Sequence, residues 1–174
     1  MDREIWEDVV MTNLTDPFRL AQKAYRHMSE NGYGRVINIG AVQSQSPLPE
    51  AAAYAASKAG LEGLTRSLAA EWSSPNVTVN TVRVGPVFGS DWIDGDERPD
   101  DVPIEEESEN VPGEFDDEAA TLVDRIGRSS DVAALVAFLA RPESGFVTGA
   151  AIPCDGGRLL SRDPEPYDQE EVIE

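Results

Sequence analysis

The stretch 35–60 most narrows what this chain can fold into. It holds a β-branched run, Val36-Ile37-Asn38-Ile39, closed by Gly40, and after a loop an alanine-rich segment from Glu50 onward. β-branched side chains crowd a helix and fit a pleated surface, so the run reads as a buried strand. Gln43 to Pro49 contains two prolines and two serines, and the chain turns there. The spaced apolar residues of 50–72 then predict a long helix. Tyr54 and Lys58 stand four residues apart on it, on one face. A phenol and an ammonium just past the C-terminal end of a strand form an acid–base pair where open α/β sheets bind ligands.

The remaining segments repeat the alternation. Residues 3–30 place Ile5, Trp6, Val9, Val10, Leu14, Phe18, Ala21 and Tyr25 at the spacing of an amphipathic helix. Pro17 removes one of its hydrogen bonds and bends it, with Asn13 just before the bend. Asn31-Gly32 ends the helix with glycine at the left-handed cap position. Val77–Val84 is a second β-branched strand, broken by Gly85-Pro86. Asp131 reads as the N-cap of a short apolar helix to Leu139. Val147-Thr148-Gly149 with Ala151-Ile152 gives a last strand, and Asp155-Gly156-Gly157 a turn. Strands alternating with helices predict a parallel sheet of about three strands with helices on both faces.

Charge excludes whole classes of partner. The formal net charge is −19, and Lys23 and Lys58 are the only lysines. Such a surface repels phosphate, which argues against nucleic acid and anionic membranes as partners. It suits a high-salt milieu, where self-repulsion is screened, and predicts a halophilic source. The single cysteine, Cys154, excludes an internal disulfide and fits a reducing cytoplasm. With His27 the only histidine, no metal cluster is expected. There is no apolar run of membrane-spanning length, and the opening Met-Asp-Arg-Glu carries no signal peptide. The chain is therefore expected in the cytoplasm.

Tyr54-x-x-x-Lys58 within Tyr-Ala-Ala-Ser-Lys-Ala-Gly, the upstream Asn13-Leu-Thr-Asp-Pro-Phe, Val79-Asn80-Thr81-Val82-Arg83-Val84-Gly85-Pro86, Val147-Thr148-Gly149 and Asp155-Gly156-Gly157 occur in order. This set resembles the short-chain dehydrogenase/reductase family. The resemblance implies a Rossmann-like sheet over 1–160 and NAD or NADP as cofactor. It also implies a small carbonyl or alcohol as substrate. By that resemblance Tyr54 is the acid–base, Lys58 lowers its pKa and holds the nicotinamide ribose, and Asn13 holds a relay water. Gly85, Pro86 and Val87 receive the nicotinamide amide, with Val84 where proline is usual. Trp92 opens an acidic substrate-covering region of about 90–117. Helices 3–30 and 50–72 pair with their copies in a homo-oligomer. Residues 161–174 are an acidic tail expected to be disordered.

Two departures from the family pattern stand out. The serine that donates to the substrate carbonyl, thirteen residues before the tyrosine, is Ala41 here. Ser44, Ser46, Gln43 or Gln45 in the following loop could replace it, and Ala41, Ser44 and Trp92 together make the expected substrate side. Second, no Gly-rich turn precedes a helix to hold the pyrophosphate. The chain thus reads as the C-terminal portion of such a domain, with Met1 internal to a longer protein. The choice between NAD and NADP is not readable. Two functions remain: a carbonyl–alcohol oxidoreductase, weakly active or inactive as this chain, or a non-catalytic relative that partners an intact homologue.

Overall fold

The computed structural model describes residues 1–72, 76–87, 121–123 and 125–160. Trp92, the acidic stretch 90–117 and the tail 161–174 lie outside the described residues.

Pro17 decides the shape of the N-terminal segment. A proline has no N–H for the carbonyl four residues back, here that of Asn13. The chain accommodates this with a wide turn, Met11–Thr15, between α1 (Arg3–Val10) and α2 (Asp16–Asn31). Gly32, at φ 65°, ends α2 in the left-handed conformation expected of it.

β1 (Gly34–Ala41) follows, then a single turn, Val42–Ser44, and α3 (Ala52–Trp72). β2 (Val77–Val84) runs parallel to β1, with Gly34 opposite Val77 and Ala41 opposite Val84. Both strands therefore end at the same level. After α4 (Ser129–Leu139), β3 (Ala151–Cys154) adds in parallel to the other side of β2. The order β1-β2-β3 makes a three-stranded parallel sheet, as expected.

Alternation along β2 sorts its side chains. Val77, Val79, Thr81 and Arg83 face α3, and the opposite face receives α4. The core gathers Val77 and Val79 with Ala21, Leu68, Ala69 and Trp72, and Tyr25 stacks on Trp72 with ring centroids 4.3 Å apart. Each fully buried valine or leucine there stabilises the fold by about 1.5–3 kcal/mol.

Two sequence expectations need correction. Val147-Thr148-Gly149 precedes the last strand instead of forming part of it. Thr148 Oγ1 accepts the Val79 N–H (3.1 Å), the Asn80 amide spans Val147 O and the Ala150 N–H, and Gly149 turns at φ 71°. Side-chain bonds thus interleave with the backbone bond from the Gly149 N–H to Val79 O (2.8 Å), and regular pairing starts at Ala151. Asp131 is not the N-cap but lies one turn inside α4. Its carboxylate accepts the Arg128 N–H at 2.8 Å and pairs with Arg125 at 2.7 Å.

Nearer the strand ends the α3–sheet contact becomes polar. Asn38 Nδ2 donates to Thr65 Oγ1 (2.8 Å), which is 2.7 Å from Thr81 Oγ1. Both threonines are fully buried. Thr65→Val keeps the shape and removes the shared partner. We expect it to destabilise the fold by about 1–3 kcal/mol, read as a lower urea midpoint at unchanged slope.

Asp131 supplies a pH test. The Arg125 hydrogen bond, with that of the Arg128 N–H, lowers its pKa from 3.8 to about 2. A depressed carboxylate contributes stability above its unfolded pKa and loses it as pH falls through the folded one. The stability gap between wild type and Asp131→Asn should hold constant above pH 3.8 and shrink as pH falls toward 2.

Candidate functional site

The level ends of β1 and β2 and the first turns of α3 frame one region. Tyr54 is 38% exposed there. One turn on, Lys58 Nζ donates to Ile39 O at 2.9 Å and sits over the Tyr54 ring, 5.5 Å from its centroid. An ammonium has three donors, so this anchor leaves others for a ligand.

The electrostatics differ from the sequence expectation. Burial raises the pKa of the Tyr54 phenol and lowers that of Lys58. Lys58 was expected to pull the phenol down. Desolvation acts instead, disfavouring the charged form of each group.

Asn13 sits in the wide turn before α2 and shares a groove of about 470 Å³ with Lys58, Thr12, Asn38 and Ile39. Gly60 explains how that turn comes so close to α3, because a Cβ there would lie 2.9 Å from Leu14 Cδ2. The groove runs along β1, whose only neighbour among the described residues is β2.

Gly85, Pro86 and Val87 form a fixed ledge after β2. The Gly85 N–H donates to Cys154 O (3.0 Å), Pro86 O accepts the Gly127 N–H (2.9 Å), and Val87 pairs with Gly127. Asp155 closes the adjacent turn by accepting the Gly157 and Leu159 N–H groups at 3.0 and 3.1 Å. A Cβ on Gly85 would stand 2.6 Å from Asp155 Cα, so only glycine lets the two turns touch.

Ala41, expected on the substrate side, is buried at the end of β1 and offers only a methyl group. Ser44 Oγ is committed elsewhere, donating to Glu62 Oε1 at 2.6 Å. Glu62 in turn holds Arg83 through two hydrogen bonds of 2.8 and 2.9 Å. Burial pushes Glu62 up, but its bonds to Arg83 and Ser44 outweigh that and leave its pKa below the usual carboxylate value. Sequence reasoning passed over this pair. Its signal was one charge on each of two faces that otherwise bury small and apolar residues.

A family model described as Enoyl-(Acyl carrier protein) reductase matches residues 1–158. The chain belongs to the short-chain dehydrogenase/reductase family. It is 40% identical over 159 residues to the 3-oxoacyl-[acyl-carrier-protein] reductase MabA of Mycobacterium tuberculosis, covering 90% of this chain and 58% of that protein. It is 34% identical over 165 residues to an acetoacetyl-CoA reductase of Allochromatium vinosum, covering 92% and 59%. Among solved structures, acetoin dehydrogenase YohF from Salmonella typhimurium superposes with a TM-score of 0.75 at 31% identity, covering 93% of this chain and 58% of that one. The chain thus spans under two thirds of the length of these short-chain dehydrogenase relatives.

The Gly85 contact yields a test. Gly85→Ala should destabilise the chain by about 1–3 kcal/mol, the usual range for forcing a methyl into packed backbone. A thermal melt no lower than wild type would contradict the close approach of the two turns.

Proposed function

We propose that this chain carries the catalytic half of an NAD- or NADP-dependent oxidoreductase interconverting a carbonyl and an alcohol. The observation that carries this is Lys58, which bonds Ile39 O near the level ends of β1 and β2, lies over the Tyr54 ring and shares a groove with Asn13. The relatives' printed names, reductases of oxoacyl and acetoacetyl thioesters and a dehydrogenase of acetoin, point to a small ketone or its alcohol. The chain is read as a cytoplasmic protein. No helix among the described residues is long and apolar enough to cross a membrane.

The residues present fit the nicotinamide half of such a cofactor. The Gly85–Val87 ledge is fixed at the end of β2, and Lys58 has donors left beyond the one given to Ile39 O. Bound there, the cofactor supplies or accepts the hydride. Tyr54 gives its phenolic proton to the carbonyl oxygen on reduction and takes it back on oxidation. Lys58 holds the ribose and favours the phenolate when it forms, and Asn13 opens a water path from Lys58 to solvent. For the pyrophosphate half no fitting group stands among the described residues. A further strand with a Gly-rich turn, laid on the open edge of β1, would supply it.

A second reading has its own observation. The reacting oxygen would meet the buried methyl of Ala41, and Ser44 donates to Glu62 instead. On that ground the chain is a non-catalytic partner of an intact homologue. It would join that homologue through α1, α2 and α3, where Ile5, Trp6, Phe18 and Leu20 are exposed. The same apolar faces support a homo-oligomer.

Reduction of acetoacetyl-CoA by NADPH or NADH separates the two readings. Tyr54→Phe should abolish whatever turnover exists. Ala41→Ser should raise it by about a hundred- to a thousandfold, the usual worth of one such donor. Because burial holds the phenol protonated, reduction should persist through neutral pH and alcohol oxidation should rise in the alkaline range. No turnover from wild type or Ala41→Ser would favour the partner reading.

A further inference from the structure

Arg83 and Glu62 form the buried ion pair of the described residues, with side chains 9% and 8% exposed. The other ion pairs there, Arg3–Glu7, Arg19–Asp16 and Arg125–Asp131, lie at the surface. Charges withdrawn from water cost several kcal/mol each, and well-packed apolar residues often hold such a place at least as well. Stability alone is therefore a poor account of the pair, and its placement suggests another.

Three elements meet in it. Arg83 comes from the penultimate position of β2, two residues before the Gly85 ledge. Glu62 lies on α3 one turn beyond Lys58 and two beyond Tyr54. Ser44, the third member, ends the turn Val42–Ser44 that leaves β1 directly after Ala41. Within that turn the backbone bonds are local: the N–H groups of Gln45 and Ser46 both donate to Val42 O at 2.9 Å. The turn packs on α3 with Val42 buried, and the 2.6 Å bond from Ser44 Oγ to Glu62 is its directed tie to the helix. Arg83 fixes the far side of the carboxylate with two bonds, so the accepting oxygen cannot swing away.

The geometry points to Glu62 as a positioning residue, with the Arg83–Glu62–Ser44 bridge clamping the substrate-side turn at a set distance from Tyr54. Glu62 touches neither substrate nor cofactor and acts through Ser44. The clamp itself follows from these contacts. Its effect on turnover rests on the oxidoreductase reading above.

Hydrogen exchange on the intact chain tests the clamp without any activity. Ser44→Ala removes one hydrogen bond and leaves the ion pair, so it should fold. Exchange at the Gln45 and Ser46 amides should quicken about tenfold or more, with the interior of α3 unchanged. Glu62→Gln should do the same and Glu62→Asp less. With acetoacetyl-CoA as probe, the KM for that carbonyl should rise several-fold in Ser44→Ala while the KM for NADPH stays put, a split that a general loss of stability would not produce. Wild-type exchange at Gln45 and Ser46 in Ser44→Ala would overturn the clamp, as would a rise in both KM values together. If the wild type turns over nothing, faster exchange still supports the clamp, and only the oxidoreductase reading has failed.

Discussion

The seating of α3 against β1 and β2 is the contact on which the rest depends. One face of the helix meets the sheet along its whole length, and the contact changes character on the way. Leu68, Ala69 and Trp72 give an apolar end. Thr65 then meets Asn38 and Thr81, Glu62 meets Arg83, and Lys58 meets Ile39 O. Apolar packing tolerates sliding, whereas directed hydrogen bonds between buried groups fix register, because a misplaced partner leaves a costly unpaired group. A shift of one turn would break every polar contact in that series. The helix is thus held so that Tyr54 and Lys58 project where the two strands end.

That arrangement gives the site a definite character. Lys58 is pinned at its tip by a backbone carbonyl, Asn13 is drawn in by the wide turn that Pro17 imposes, and the Gly85 ledge is locked against the Asp155 turn. They are preorganised parts of the nicotinamide-dependent site proposed here. On the substrate side the pattern changes. The end of β1 offers only the buried methyl of Ala41, and Ser44 in the following turn donates to a buried ion pair. Burial favours the neutral form of the Tyr54 phenol.

Much of this was legible because local physics carried it. The β-branched runs 36–39 and 77–84 each pointed to one strand, and the amphipathic pattern of 3–30 to a helix bent near Pro17; the structure has both strands, and has the helix as α1 and α2 joined by a wide turn. Parallel pairing followed from the helices between them. The errors came where side chains act at a distance. Asn80 and Thr148 replace a strand's own bonds, Asp131 caps α4 from within, and burial rather than Lys58 governs Tyr54. Glu62 and Arg83 stand 21 positions apart, and no periodicity or spacing rule pairs them. Gly60 carried no sign of its role until Leu14 was seen against it.

Calorimetric titration of the purified chain with NADH and with NADPH, in high salt, bears most directly on whether these parts make a working nicotinamide site. The account predicts weak binding of at least one of them, lost in Lys58→Ala while the melting temperature of that variant stays near wild type. Absence of binding by either at millimolar cofactor, or binding that survives Lys58→Ala unchanged, would contradict it.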